Sequence, residues 1–289
     1  MIEFFIGVDG GGSGTRVRLA RADGAEIAEG ASGPSGLMHG IAQAWAAVEE
    51  AAAQAFRAAG LGVPNPSRIA IGLGLAGVHN KQWAAEFVAA NPGYAQVALE
   101  SDGHTTVLGA HQGRPGAIIA LGTGSVGEIK LADGRHVEVG GWGFPAGDEA
   151  SGAWMGLRAI NHVQQVLDGR MPANAFATDV AQACGGQRTE IQNWLAQATQ
   201  TRYAQLARIV LQHGDSNDTA RNILLAAGDE VELMANALDP SGTLPIALCG
   251  GLAAPLRPYL PAALLPRLVQ PHGDSAAGAL RLIQSRFKE

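Results

Sequence analysis

One structural pattern occurs twice in this chain, and this repeat constrains the fold more than any other feature. In each copy an apolar strand runs into a glycine-rich turn, a second strand follows, and an Asp-Gly pair predicts a hairpin into a third strand. The first glycine turn is Asp9–Gly14 and the second is Gly122–Ser125, with hairpins at Asp23-Gly24 and Asp133-Gly134. The copies lie about 110 residues apart with equal turn-to-hairpin spacing, which predicts two related halves.

The rest of the chain alternates between helix and strand patterns. Leu37–Ala59 is alanine-rich with helical spacing, and further helices are predicted to open at Asp102 and at Asp148. A third apolar strand, Leu244–Cys249, runs into Gly250-Gly251, and Asp274–Phe287 is predicted as a closing helix. Mixed strands and crossover helices predict an α/β fold with helices flanking the sheets.

Composition excludes several classes of protein. The 289 residues are 47% hydrophobic and 16% charged, which is typical of a globular chain, and the net charge of -6 without a basic patch argues against a nucleic-acid partner. No apolar run reaches membrane-spanning length and no leader pattern opens the chain, so we expect a cytoplasmic protein. Cys184 and Cys249 are far apart, which gives no support to a disulfide framework or a metal cluster.

The glycine turns indicate phosphate binding. Glycine lets the backbone approach a phosphate closely, and hydroxyls at Ser13, Thr123 and Ser125 could donate to it. Any single turn could be a plain β-turn, but three of them, two in a repeated unit, favour a nucleotide. Because lysine and arginine are scarce near these turns, we expect backbone N–H groups and a metal to hold the anion.

Other phosphate and hydrolase signatures fail in context. Gly72–Gly77 and Gly122–Gly127 both match G-x-G-x-x-G, but the second precedes a strand. In the first, Gly72 and Gly74 are predicted to lie inside a strand, where they allow close packing. The Walker A, HExxH and GxSxG patterns are absent from the sequence.

Three aspartates and one tryptophan are candidates for the chemistry. Asp102 is either a helix N-cap or a general base for a hydroxyl, and Asp148 has the same ambiguity. Asp9 either stabilises its turn or coordinates magnesium through water. Trp142, which lies between Gly141 and Gly143, is either a pocket wall against a sugar or a loop-packing residue.

Taken together, the motifs resemble one family of enzymes. The segments concerned are Val8-Asp9-Gly10-Gly11-Gly12-Ser13, Gly122-Thr123-Gly124-Ser125, Gly140-Gly141-Trp142-Gly143 and Gly147-Asp148-Glu149. They resemble the N-acetylglucosamine kinase and glucosamine kinase family, which has the actin-like, hexokinase-type ATPase fold. The resemblance extends to Gly273-Asp274-Ser275-Ala276 and therefore covers nearly the whole chain. It implies two ribonuclease-H-like domains with an interdomain cleft: residues 1–113 completed by 274–289, and residues 114–273.

The resemblance also implies roles for particular residues. An ATP-dependent kinase would use Asp102 to deprotonate the 6-hydroxyl of an amino sugar and Asp9 to support Mg2+. Trp142, Gly141 and Asp148 would help bind the sugar. The nucleotide would lie on the residues Gly10, Gly11, Gly12, Ser13, Gly122, Thr123, Gly124, Gly250 and Gly251. A small-molecule amino sugar is the expected partner, and a homodimer is a further expectation.

Two departures from the family pattern leave the sugar open. Gly36 and Val126 stand where the family often has asparagine, so N-acetylglucosamine is the first candidate and glucosamine the alternative. Two other classes of protein compete with the kinase. Iron–sulfur activator ATPases need paired cysteines, which Cys184 and Cys249 do not provide. A non-catalytic sugar sensor would be favoured by a helix-turn-helix extension or a basic face, and the sequence has neither.

Overall fold

The computed structural model describes residues 1–287, and two five-stranded sheets organise it. The strands are β1 (Phe4–Gly10), β2 (Thr15–Arg21), β3 (Glu26–Ser32), β4 (Ile69–Leu75), β5 (Gln96–Glu100), β6 (Gly116–Leu121), β7 (Ser125–Lys130), β8 (His136–Gly140), β9 (Ile246–Cys249) and β10 (Leu268–Val269). The strand order is β3-β2-β1-β4-β5 in one sheet and β8-β7-β6-β9-β10 in the other. Each sheet therefore has the same order of first to fifth strand, which confirms the repeat predicted from the sequence.

The helices vary from one turn to six turns in length. They are α1 (Ile41–Ala58), α2 (Lys81–Ala89), α3 (Asp102–Ala110), α4 (Gly152–Leu167), α5 (Ala175–Ala183), α6 (Arg188–Gln197), α7 (Gln200–Gln205), α8 (Ala207–His213), α9 (Asp218–Leu238), α10 (Ala253–Leu256) and α11 (Ser275–Ser285). Short 3-10 turns occur at Leu37–His39, Pro66–Arg68, Arg257–Tyr259 and Leu265–Arg267. No helix in the described part is both long and apolar enough to cross a bilayer.

The chain divides into two compact units. Unit 1 comprises Met1–Gly116, Ile129–His136 and the chain from Gln270 onward, whereas unit 2 comprises Ala117–Glu128 and Val137–Val269. Unit 1 therefore takes its last helix, α11, from the opposite end of the sequence.

Unit 1 is a sheet covered on both faces. On one face Ile6 and Val8 of β1 are fully buried against α1, whose alanines and Phe56 complete the core. On the other face α11 lies so close to the sheet that a Cβ atom at Gly7 would overlap the Ala276 carbonyl oxygen. At this spacing only glycine fits, because any side chain would push the helix away.

The paired glycines of β4 have the same explanation. A Cβ atom at Gly72 would overlap the Ala279 carbonyl oxygen on α11, and one at Gly74 would overlap the hydroxyl of Thr105 on α3. Both glycines lie inside the strand, so the interpretation of Gly72–Gly77 as a close-packing motif and not a nucleotide turn is confirmed.

Some element bounds differ from those predicted. The helix predicted from Leu37 begins at Ile41, after a 3-10 turn, because Gly40 has a left-handed φ of 102° that interrupts it. The first glycine turn is also shorter than predicted, since Asp9 and Gly10 are the last two residues of β1. This places the Asp9 side chain on a strand, where its direction is fixed by the sheet.

Candidate functional site

The carboxyl ends of three parallel strands meet at one edge of the unit 1 sheet. The register pairs Asp9 of β1 with Gly74 of β4, and Gly74 with Glu100 of β5, so all three strands end at the same level. Asp102 follows β5 by two residues and begins α3. The carboxylates of Asp9 and Asp102 therefore share this edge, which is the usual place for a ligand in an open α/β sheet.

Asp9 is held in place by the last helix of the chain. Its carboxylate accepts a hydrogen bond from Ser275, and the Ser275 hydroxyl also bonds with Thr105 of α3 at 2.8 Å. Burial raises the pKa of Asp9 above its ordinary value, and the negative charges of Asp102 and Asp274 act in the same direction. The Ser275 hydrogen bond and the positive charge of Arg16 oppose the rise without cancelling it.

Asp102 is not the N-cap of its helix. That position belongs to Ser101, whose hydroxyl accepts a hydrogen bond from the His104 N–H at 3.0 Å. The Asp102 carboxylate accepts a bond of 3.1 Å from the N–H of its neighbour Gly103. Burial raises the pKa of Asp102, and the hydrogen bond from the Gly103 N–H, with a smaller contribution from His79, only partly opposes this rise. A carboxylate is suited to accept a proton when its pKa is raised and when it does not cap a helix.

The first glycine turn presents open backbone. The Gly11 N–H donates to the Gly14 carbonyl at 3.0 Å, and the Gly11 carbonyl accepts from the N–H groups of Ser35 and Gly36. Neither Gly11 nor Gly12 has a left-handed φ. A Cβ atom at Gly11 would meet nothing within 4 Å, and one at Gly12 only His39 at 3.9 Å. Neither a left-handed φ nor close packing requires glycine at these two positions, so the backbone there is open to the close approach of a ligand.

The second glycine turn, in unit 2, has a similar construction. The Gly122 N–H donates to the Gly124 carbonyl at 2.9 Å, and the carbonyls of Gly122 and Thr123 accept from the first N–H groups of α4 at 2.8 and 3.3 Å. Gly122 again has an ordinary φ and open space where its Cβ would be, and the Thr123 side chain is exposed. The turn therefore offers a second backbone surface that a phosphate could approach.

Asp148 lies directly behind this second turn. It is 5% exposed, its carboxylate lies 2.7 Å from where a Cβ of Gly124 would be, and it accepts a hydrogen bond of 2.5 Å from Gln200 Nε2. The predicted helix start at Asp148 is wrong. Asp148 and Ala150 have left-handed φ values of 60° and 64°, and α4 begins at Gly152 with Ser151 as its N-cap.

Unit 2 contains a pocket of about 680 Å³ that includes the second glycine turn. A volume of this size is within the usual range for small-molecule sites. Gly251, the second residue after β9, also lines the pocket, together with residues of α7, α8 and the helices around them: Gly122, Thr123, Gly152, Ala183, Trp194, Arg202, Ala204, Gln205, Leu206, Ala207, Arg208, Ile209, Leu211 and Leu252. Gly250 has a left-handed φ of 87°, and a Cβ atom there would overlap the Leu121 carbonyl oxygen. Both the backbone conformation and the packing therefore require glycine at this position.

Trp142 is not packed into a loop. Its side chain is 87% exposed, and the flanking Gly141 and Gly143 have left-handed φ values of 69° and 87° that turn the backbone on either side. Gly147 lies against the base of the tryptophan, because its Cβ would be 2.8 Å from that of Trp142. An indole ring held away from the core in this way is available to a ligand.

The two positions that depart from the family pattern lie beside these motifs. Gly36 is buried against the first glycine turn, where a Cβ would be 3.4 Å from the Gly11 carbonyl group. Val126 follows the second turn and contacts Gly141, whose Cβ would be 3.2 Å from a Val126 methyl. Each departure therefore replaces a polar group with an apolar one beside a candidate ligand-binding segment.

The residues at the Asp9 edge are suited to magnesium but not to a protein-only metal cage. Among residues 1–287 no group of three or more His, Cys, Asp or Glu side chains could hold a metal ion. Magnesium normally keeps several waters and binds through one or two carboxylates together with substrate phosphates. The Asp9 carboxylate fits this arrangement, since a cation nearby would offset the burial and the Asp102 charge that raise its pKa.

Sequence reasoning missed four residues around the candidate site. Ser275 supports Asp9 from the far end of the chain, and no local pattern could have connected them. Arg16 lies only two residues after the first glycine turn, in a part of the sequence where cations are otherwise scarce. Arg202 and Arg208 line the unit 2 pocket from helices without a recognisable motif.

Comparisons with known proteins agree with this architecture. A family model described as the BadF/BadG/BcrA/BcrD ATPase family matches residues 6–258. The glucosamine kinase GspK of Vibrio cholerae is 33% identical over 281 residues, which cover 96% of this chain and 95% of that protein. A solved structure of a candidate N-acetylglucosamine kinase from Chromobacterium violaceum is 49% identical, with a TM-score of 0.92 over 98% of this chain and 99% of that one.

A more distant structure shares the fold alone. The ROK hexokinase of Thermus thermophilus is 17% identical with a TM-score of 0.59, and the match covers 97% of each chain. Together, these likenesses confirm the family resemblance and the actin-like α/β fold class that the sequence predicts.

Proposed function

This chain belongs to the BadF/BadG/BcrA/BcrD ATPase family, and from that premise we propose that it phosphorylates the 6-hydroxyl of an amino sugar with ATP. The enzyme class predicted from the sequence, an ATP-dependent sugar kinase, is confirmed by the relatives. N-acetylglucosamine is the first substrate candidate and glucosamine the alternative. The observation that carries the proposal is the edge of the unit 1 sheet, where Asp102, free of capping, lies with Asp9 beside the open glycine turn.

Asp102 acts as the general base in this proposal. The sugar hydroxyl gives its proton to the Asp102 carboxylate, and its oxygen forms a bond to the terminal phosphorus of ATP. The bond between that phosphorus and the bridging oxygen breaks, and ADP leaves. The raised pKa of Asp102 brings its basicity closer to neutral pH, which improves proton transfer. Positioning and charge neutralisation supply the rest of the catalysis in phosphoryl transfer.

The glycine turns hold the phosphates. In unit 1 the open backbone of Gly11 and Gly12 and the exposed Ser13 hydroxyl face a phosphate, while Gly10, which packs against Ser35 and Leu75, sets the start of the turn. In unit 2 the second turn, through Gly122, Thr123 and Gly124, forms part of the 680 Å³ pocket, with Gly250 and Gly251 bordering the adenosine. Mg2+, supported by Asp9, would neutralise phosphate charge.

The sugar-binding residues are proposed from unit 2. The exposed face of Trp142 suits the apolar C–H face of a hexose, and Gly141 lets the chain turn beside it. The buried Asp148 supports the second turn through Gly124 and Gln200, so we expect its loss to affect both sugar and nucleotide. The apolar Gly36 and Val126 remove amide groups, which is why glucosamine stays the alternative substrate.

The first experiment measures ADP release with Mg-ATP and N-acetylglucosamine, glucosamine, glucose or no sugar. One amino sugar is expected to stimulate turnover strongly, and Asp102→Asn to remove the stimulation while thermal unfolding stays unchanged. Asp23→Asn, in the exposed β2–β3 hairpin, is the matched control and keeps full activity. If none of the sugars stimulated ADP release, the proposal would be refuted. Size-exclusion chromatography of the same samples tests the proposed homodimer.

A further inference from the structure

One arginine, Arg16, lies beside the first glycine turn. Arg16 is exposed on β2, and within the described part of the chain its guanidinium forms neither an ion pair nor a hydrogen bond. Lysine and arginine on protein surfaces are common, so exposure alone means little. The surroundings of Arg16 distinguish it from an ordinary surface arginine.

Arg16 is placed next to Asp9 by the sheet. In the antiparallel pairing of β1 and β2, Asp9 lies directly opposite Arg16, and Gly10 opposite Thr15. Side chains of directly opposite residues project from the same face of a sheet. The guanidinium and the Asp9 carboxylate therefore share the face that carries α11, and the Arg16 charge acts on both Asp9 and Asp274.

The neighbouring arginine on that face is already neutralised. Arg18 donates to both carboxylate oxygens of Asp274 at 3.0 Å and forms ion pairs with Glu26 and Glu29. Arg18 is thus a structural residue that ties β2 and β3 to the start of α11. Arg16, two residues closer to the glycine turn, has no such set of partners within the described part of the chain.

We propose that Arg16 is a catalytic residue whose guanidinium contacts the phosphoryl group as it is transferred across the first glycine turn. The proposal rests on the proposed kinase function. During transfer, negative charge spreads over the three equatorial oxygens of the phosphoryl group. A planar guanidinium offers several N–H donors to those oxygens, and the open space at Gly11 and Gly12 lets the oxygens approach the turn closely.

A purely electrostatic role on Asp9 is the competing explanation. In that case Arg16 would only help to keep the Asp9 carboxylate ionised, and any positive charge at this position would serve equally well. A contact with the phosphoryl group instead requires the guanidinium geometry and is strongest in the transition state. The two explanations therefore make different predictions. They differ in whether lysine can replace Arg16 and in whether the loss of Arg16 weakens the binding of a transition-state analogue.

The test compares Arg16→Gln, Arg16→Lys and the control Arg21→Gln, which removes the same charge from the other end of β2. We expect Arg16→Gln to lower kcat about 10²- to 10³-fold with little change in the KM of the sugar. Arg16→Lys should retain only part of the wild-type kcat. Arg21→Gln keeps wild-type kinetics. Free guanidinium at millimolar concentration is expected to rescue Arg16→Gln.

Binding of ADP with magnesium and aluminium fluoride, a mimic of the transferred phosphoryl group, gives a readout that needs no sugar turnover. Arg16→Gln should bind this mimic at least tenfold more weakly than wild type while ADP affinity is unchanged. Equal affinity for the mimic, or full activity of Arg16→Lys, would overturn the proposal in favour of the electrostatic role. A wild-type protein that no amino sugar stimulates would instead refute the proposed function, and the mimic still tests Arg16.

Discussion

Adding one methyl group at Gly11 is expected to change the stability of the fold and the affinity for ATP in opposite directions. In Gly11→Ala the new Cβ would meet no atom within 4 Å, and the φ of Gly11 lies outside the left-handed region. Such a substitution introduces neither a steric overlap nor left-handed backbone strain in the native state, and it lowers the conformational entropy of the unfolded chain. We therefore expect the free energy of unfolding to rise by about 0.4–1 kcal/mol.

The same methyl group should weaken the binding of ATP. A phosphate oxygen held by backbone N–H groups lies about 2.7–3.2 Å from the nitrogen, which leaves no space for a neighbouring methyl. Overpacking of this kind costs about 1–3 kcal/mol. This corresponds to a loss of affinity of roughly 5- to 150-fold, since each 1.4 kcal/mol is a factor of ten.

Urea denaturation and calorimetric titration with Mg-ATP measure the two effects separately. Gly62→Ala is the control, because Gly62 also has open space and an ordinary φ but lies in the loop before β4. It should gain similar stability and keep its ATP affinity. If Gly11→Ala bound ATP as tightly as wild type, the turn would not be a phosphate site. If it unfolded more readily, the space assigned to its methyl group would be wrong.

Three further predictions concern charge. Because burial raises the pKa of Asp102, kcat should fall as pH decreases through a value above that of an ordinary carboxyl group, and Asp102→Asn should lower kcat about 10²- to 10⁴-fold in steady-state assays. Arg18→Met removes the partner of Asp274, the N-cap of α11, and should lower the free energy of unfolding by about 1–2 kcal/mol in urea, whereas Arg21→Gln should change it by less than about 0.5 kcal/mol. Burial and the stacked His136 lower the pKa of His104 to about 4, so the unfolded state binds the proton more tightly than the folded state. The free energy of unfolding should therefore decrease by on the order of 1–3 kcal/mol as the pH falls from about 6.5 to 4, and urea titrations of His104→Phe should show a weaker decrease.

The order of elements could be read from local sequence patterns. The apolar runs that become β1 and β6, the glycine turns after them and the two Asp-Gly hairpins all lie where predicted to within a few residues. These signals are local, since hydrophobic alternation and glycine content act through the nearest neighbours along the chain. The repeat of the whole unit predicted two related halves, and the common strand order of the two sheets confirms this.

Backbone details near the site were less predictable. The exposed Trp142 and the left-handed Asp148 follow from the conformation of a loop with several glycines, in which many paths satisfy the local sequence. The choice of Ser101 over Asp102 as N-cap is a second example, because both residue types cap helices well and only the hydrogen bond to His104 decides between them.

The sequence by itself determined the family, the enzyme class and the glycine turns, because a phosphate site made of backbone requires contiguous residues. Only the tertiary structure brought Ser275 to Asp9 and set Arg16 opposite Asp9. It also joined Arg18 to Asp274 and left Arg16 without a hydrogen bond or ion pair among residues 1–287. Those relations join residues up to 266 positions apart through strand pairing and the docking of α11 on the sheet. The pKa of each carboxylate at that edge depends on burial and on neighbouring charges, which exist only once the chain has folded.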